Sequence, residues 1–111
     1  MSPTGFGGME SILRQAQKMQ KQMTRLQEEL KERVVEGTAG GGVVKAHVNC
    51  AMEVLSVKID PEVVDPEDVA MLEDLVVAAI SQATKKAQEI REAEMAKVTG
   101  GLGLPGLGMG L

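Results

Sequence analysis

The chain has no tryptophan and no tyrosine, and among its 111 residues there is one phenylalanine (Phe6), one cysteine (Cys50) and one histidine (His47). Without aromatic platforms, recognition by stacking unpaired bases is excluded. A single cysteine excludes an intrachain disulfide and makes a reducing cytoplasm the expected compartment. One cysteine and one histidine cannot close a zinc site. Long apolar runs are missing too. The longest uncharged apolar stretch, Leu75 to Ile80, is six residues, far short of a membrane span. The opening MSPTGFGGME has no basic stretch followed by an apolar one and does not resemble a secretory signal.

What is present is a chain that folds: 43% of residues are apolar and 25% charged, enough for one small core and no more. The formal charge of −4 is unevenly spread. Residues 1–33 carry six basic and four acidic side chains, a net of +2, whereas residues 61–99 carry four and nine, a net of −5. A basic front half therefore precedes an acidic back half.

Periodicity supplies the elements. Met9, Ile12, Ala16, Met19, Met23, Leu26 and Leu30 alternate steps of three and four, the seam of a coiled-coil-like helix over residues 9–33, about 37 Å long. Arg33 to Glu36 reads as a short strand broken by the turn Gly37–Gly42. Val43 to Asn49 alternates, with Val44, Ala46 and Val48 on one face and Lys45, His47 and Asn49 on the other. A tight connection at Asn49-Cys50-Ala51 leads to a third strand, Met52–Ile59. Asp65-Pro66-Glu67-Asp68 then predicts a helix start, with Asp65 as N-cap and Pro66 at the first helical position. That helix runs to about Val98, roughly 50 Å, on a stripe of Val69, Leu72, Val76, Ala79, Ala83, Ala87 and Ile90, widened by Leu75, Val77 and Ile80 into a part buried on more than one side. The fold class is α+β, an α-β-β-β-α chain with a three-stranded antiparallel meander. Residues 1–8 form an N-terminal arm, 9–99 the folded unit, and 100–111 a Gly/Leu-rich tail expected to be mobile.

Helices of this length overhang a sheet whose strands span only ~23 Å. Their apolar stripes continue to the far ends, so a second copy across a two-fold axis is the simplest cover. A helical hairpin within one chain is the alternative.

Catalysis finds no support. No nucleophile pairs with a base, because His47 and Cys50 lie in a strand and its turn. His47 reads as a solvent-facing strand residue and Cys50 as an exposed turn thiol, able to cross-link two chains on oxidation. Gly40-Gly41-Gly42 is followed by no Gly-Lys-Ser/Thr and by a strand, so a hairpin turn fits better than a phosphate-cradling loop. The carboxylates from Glu62 to Asp74 begin a helix and show no spacing for a hard metal. The expectation is a non-enzyme with no metal, no cofactor and no small-molecule substrate.

One constellation stands apart. Arg14, Lys18, Lys21 and Arg25 follow one another at four, three and four residues, with no acid between Ser11 and Gln27. They form a line opposite the Met/Leu seam and lack the glutamates one turn away that accompany a merely solvated helix face. Two readings stand side by side: the flank of a soluble coiled coil, or a rail for a phosphate backbone about 16 Å long. Lys85 and Lys86 form a smaller patch of the same kind. A basic face laid on an anionic membrane is set aside, because the opposite seam is needed for packing.

Gly8-Met9 with Arg14-Gln15-Ala16-Gln17-Lys18-Met19-Gln20 resembles the opening helix of the YbaB/EbfC nucleoid-associated proteins. So do Val35-Glu36-Gly37, Gly40-Gly41-Gly42, Lys58-Ile59-Asp60-Pro61, Met71-Leu72-Glu73-Asp74-Leu75 and the closing Thr99 to Gly106. The likeness covers nearly the whole chain in order. It implies a bacterial cytoplasmic protein of the nucleoid, a tweezer-like homodimer that binds double-stranded DNA through its long helices. That supports the basic rail without fixing each residue; the spacing of charges itself offers Arg14, Lys18, Lys21 and Arg25 as main contacts, with Lys85 and Lys86 secondary. The chain departs from the family at Asn49-Cys50, where Asn-Gly is usual and would suit a two-residue hairpin turn. The rival function is a protein-interaction adaptor that docks an acidic partner or presents Leu102, Leu104, Leu107 and Met109 of the tail.

Overall fold

The computed structural model describes residues 4–100, with side-chain surroundings from Gly8 onward. Helix α1 (Thr4–Glu32) leads into strands β1 (Val34–Ala39), β2 (Val44–Asn49) and β3 (Val54–Ile59). A 3-10 turn (Pro61–Val63) and helix α2 (Val69–Gly100) complete the order. The strands form one antiparallel sheet in the sequence β1-β2-β3, so the α+β meander read from the sequence is the fold. The tail leucines lie outside the described residues.

α1 begins at Thr4, five residues before the apolar periodicity. No proline falls between Thr4 and Met9, so the hydrogen-bond ladder continues where there is no longer a stripe to pack. Its length of 29 residues corresponds to about 43 Å, and the 32 residues of α2 to about 48 Å. The molecule is accordingly drawn out to 82 × 27 × 17 Å with a radius of gyration of 21.4 Å, against ~13 Å for a compact chain of this size. Only the last part of the α1 seam is covered: Leu26 and Leu30 are buried, Met19 and Met23 half-buried, while Met9 and Ile12 are 63% and 65% exposed.

The core sits between the sheet and α2. Val44, Ala46 and Val48 are fully buried against Ala79, Ala83 and Ala87, and each buried valine contributes about 1.5–3 kcal/mol. The alanines let the helix axis come close to the strands, and Gly37 lets it come closer still. A Cβ at Gly37 would collide with the Ala79 carbonyl oxygen and the Ala83 amide nitrogen. Gly37 is thus a strand residue and not the opening of a turn; the turn runs from Gly40 to Val43, with Gly40, Gly41 and Gly42 at φ of 62°, 76° and 99°. α2 lies over β1 and β2 and barely reaches β3. Val69 and Val77, assigned to a buried helix flank on periodicity, are therefore 54% and 63% exposed.

Three further local expectations change. The second hairpin is a three-residue loop, Cys50-Ala51-Met52, closed by Met52 N–H to Asn49 carbonyl and Asn49 N–H to Glu53 carbonyl, both at 3.0 Å. The left-handed residue is Met52, at φ 70°, and not position 50. Asn49 is 2% exposed although it falls on the polar side of the alternation. Its Oδ1 accepts from the amides of Ala51 (3.1 Å) and Glu53 (2.9 Å), and its Nδ2 donates to Glu53 Oε1 (2.7 Å). The last helix starts at Val69 rather than Pro66. Asp65 closes a turn of its own by accepting from Glu67 N–H at 2.9 Å, and Asp68 caps α2 by accepting from Met71 N–H at 3.2 Å. The Pro at a helix start is instead Pro61, in the 3-10 turn capped by Asp60.

The two sheet edges differ. On β1, the Thr38 N–H donates to Gln82 Oε1 at 2.7 Å and the Glu36 carbonyl accepts from Lys86 Nζ at 2.9 Å. Two α2 side chains one turn apart thus occupy the groups with which another strand would pair. Among the described residues no side chain does this for β3.

Candidate nucleic-acid interface

The basic line of α1 is exposed at all four positions. One hundred degrees per residue gathers Arg14, Lys18, Lys21 and Arg25 into a sector of about 60°, over about 16 Å of rise.

The surroundings differ along the line. Arg14 Nη2 is 3.7 Å from Glu10 Oε2, with both side chains more than 70% exposed. The line therefore does have a glutamate one turn away at its first member, contrary to the expectation from residues 11–27. The pair is solvent-screened and holds Arg14 only weakly. Lys18 and Arg25 border an open groove of about 660 Å³ between α1 and the last turns of α2, floored by Met19, Leu26 and Val98. Lys97 of α2 joins them on its rim, a third cation that no single-helix reading could place there. Two acids also line this groove, Glu29 and Glu94, the latter 3.3 Å from both Arg33 Nη1 and Lys97 Nζ. Lys21 lies on the other flank, beside Gln17, Gln20, Thr24 and Glu28, a flank that Arg25 also borders. Among the described residues, no carboxylate stands within ion-pair distance of Lys18, Lys21 or Arg25.

Lys85 and Lys86 are both exposed, and the Lys86 ammonium also donates to the Glu36 carbonyl on the edge of β1. Adjacent residues on a helix point 100° apart, and here the second of the two reaches the sheet.

Cys50 is fully buried and not an exposed turn thiol. Its amide N–H is shared between the carbonyls of Leu30 (3.0 Å) and Arg33 (2.9 Å), so the residue closes the end of α1. Desolvation pushes its thiol above the ordinary range, with Arg33 opposing in lesser measure. A thiol so placed is not available to bridge two chains.

The histidine also has partners that the sequence did not reveal. His47 Nε2 is 2.9 Å from Glu36 Oε2 and Nδ1 is 3.2 Å from Ser56 Oγ, so a hydroxyl and a base do meet. Glu36, His47 and Ser56 are cross-strand neighbours on the sheet face away from α2. Their alignment is accounted for by the register: polar side chains directly opposite one another pair across strands. Three grooves run along α1, and none of the three is lined by Glu36, His47 or Ser56.

No helix among the described residues is long and apolar enough to cross a membrane. A family model described as the YbaB/EbfC DNA-binding family matches residues 6–102. A nucleoid-associated protein of Moorella thermoacetica is 55% identical over 102 residues, covering 92% of this chain and 98% of its own. One from Caldanaerobacter subterraneus subsp. tengcongensis is 51% identical over 105 residues, covering 95% and 94%. Among solved structures, an uncharacterized protein of Helicobacter pylori superimposes with a TM-score of 0.69 at 22% identity, over 89% of this chain and 98% of that one, a likeness of fold.

Proposed function

The chain belongs to the YbaB/EbfC DNA-binding family, and from that premise we propose that it binds double-stranded DNA as a homodimer at the nucleoid, in the cytoplasm. Binding is mainly through phosphates and weakly selective for sequence, because phosphate contacts supply affinity without reading bases. The observation that carries this reading is the unpaired, exposed run Lys18, Lys21 and Arg25, continued by the weakly held Arg14. Phosphates attract such a run, while the acids concentrated after residue 60 leave the rest of the chain net negative and unattractive to DNA. The role that follows is nucleoid organisation, gene regulation or support of DNA repair. No enzymatic step enters it.

The second copy is supported by the apolar residues that α1 leaves uncovered. Met9, Ile12 and Leu13 are each 59% or more exposed, in a row at helical spacing. A two-fold partner covers such a row with its own.

If about four phosphates are neutralised, the affinity falls with a log–log salt slope near −3.6. The test is a gel-shift titration with duplex DNA across salt concentrations, using the parent chain and a Lys18→Glu/Lys21→Glu variant. The variant loses binding and still sediments as a dimer. Unchanged affinity overturns the reading.

A further inference from the structure

The sheet face away from α2 carries a second cationic feature. Lys45 and Lys58 are direct partners in the β2–β3 ladder and both are exposed. Cross-strand partners stand about 4.5–5.5 Å apart at Cβ, where like charges repel. An antiparallel sheet commonly offsets such a charge with an acid on a neighbouring strand, and here the nearby acids are committed elsewhere. Glu36, one step diagonal to Lys45, is engaged by the His47 imidazole at 2.9 Å. Asp60, on the same side as Lys58 and two residues on, accepts from the Glu62 amide at 2.9 Å. Opposite Lys45 stands Thr38, and the next row holds Ser56, both half-buried hydroxyls. Two ammonium groups side by side, bordered by the Thr38 hydroxyl and with no carboxylate at ion-pair distance, offer donors enough to grip the two free oxygens of one singly charged backbone phosphate.

We propose that Lys45 and Lys58 clamp a single backbone phosphate of the duplex, making the outer sheet face a DNA contact separate from α1. This rests on the DNA-binding reading above. The repulsion that weakens the free protein is relieved when the phosphate oxygens sit between the two ammonium groups. The clamp therefore favours binding at the expense of stability, the opposite of what a structural lysine pair does.

The experiment uses the full chain and a Lys45→Gln/Lys58→Gln variant, titrated with duplex DNA across salt and melted without DNA. The variant has a salt slope shallower by about 0.9, one phosphate fewer, and an affinity roughly ten-fold lower at low salt. Its melting temperature is equal to or above that of the parent. A Lys45→Arg/Lys58→Arg variant, which keeps both charges, keeps the slope. A slope and affinity like the parent's overturn the clamp, as does a loss of binding in the arginine variant. If the parent itself ignores duplex DNA, the functional reading falls; if the parent binds and the glutamine variant matches it, only the clamp falls.

Discussion

Gly37→Ala is the most direct test of how the sheet and α2 fit together. In an open strand the change stabilises by about 0.5–1 kcal/mol, because alanine has less backbone freedom to lose. Here the new methyl enters the space of the Ala79 carbonyl oxygen and the Ala83 amide nitrogen and comes within 2.9 Å of the Ala83 Cα. All three are backbone atoms of a helix, so no rotamer change makes room and α2 must lift from β1. Overpacking of this kind costs about 1–3 kcal/mol, occasionally more. With three backbone atoms at 2.9 Å or closer, the clash takes the upper half of that range, about 2–3 kcal/mol. Against an entropic gain of about 1 kcal/mol, the net loss is about 1–2 kcal/mol. For a domain of this size that lowers the melting temperature by about 4–16 °C. The assay is a far-UV circular dichroism melt at fixed protein concentration, since association shifts apparent stability. A second variant sharpens it. Because the obstacle is backbone, adding Ala83→Gly gives no rescue and, at roughly 1 kcal/mol for glycine in a helix, lowers stability further. A Gly37→Ala protein that melts at or above the parent, or is restored by Ala83→Gly, refutes the close approach.

Two further outcomes follow from the loop at the other end of the sheet. Met52 holds φ at 70° without being glycine, and its half-buried side chain packs on the core. With that packing removed in both variants, Met52→Gly is more stable than Met52→Ala by up to about 1 kcal/mol, read as a higher denaturant midpoint at unchanged slope. The Cys50 thiol, raised by burial above its usual 9.0, is neutral in the fold. Its contribution is fully present below the unfolded pKa and is lost as pH rises through the folded one. Stability therefore declines on the alkaline side of pH 9, a decline that Cys50→Ala removes; alkylation of Cys50 in native protein at neutral pH is slow and becomes fast on unfolding.

The repeating parts of this fold were legible because their cause is local. Steps of three and four from Met9 to Leu30, and alternation from Val44 to Val48, each report one element's own geometry. Residues whose role is set by a distant neighbour were misplaced. Gly37 has the composition of a turn and the environment of a strand beneath a helix. Cys50 follows a turn-like asparagine, yet the end of α1 folds over it. Asp65-Pro66 and Asp60-Pro61 carry the same helix-start signal, and only the second begins a helical turn at its proline. At the candidate interface the line on α1 could be read from spacing alone. The Glu10 contact of Arg14, the Lys97 contribution to the groove rim and the engagement of Lys86 depend on rotamers and on the meeting of separate elements. The Lys45–Lys58 pairing depends on strand register, which alternation does not fix across a hairpin.

The unequal rims of the sheet carry a consequence for assembly. Gln82 and Lys86 seal one side, so lateral growth has a single direction available. A strand of another chain can therefore add only beside β3, and a molecule with this much uncovered valine and leucine presents one open flank of its sheet instead of two.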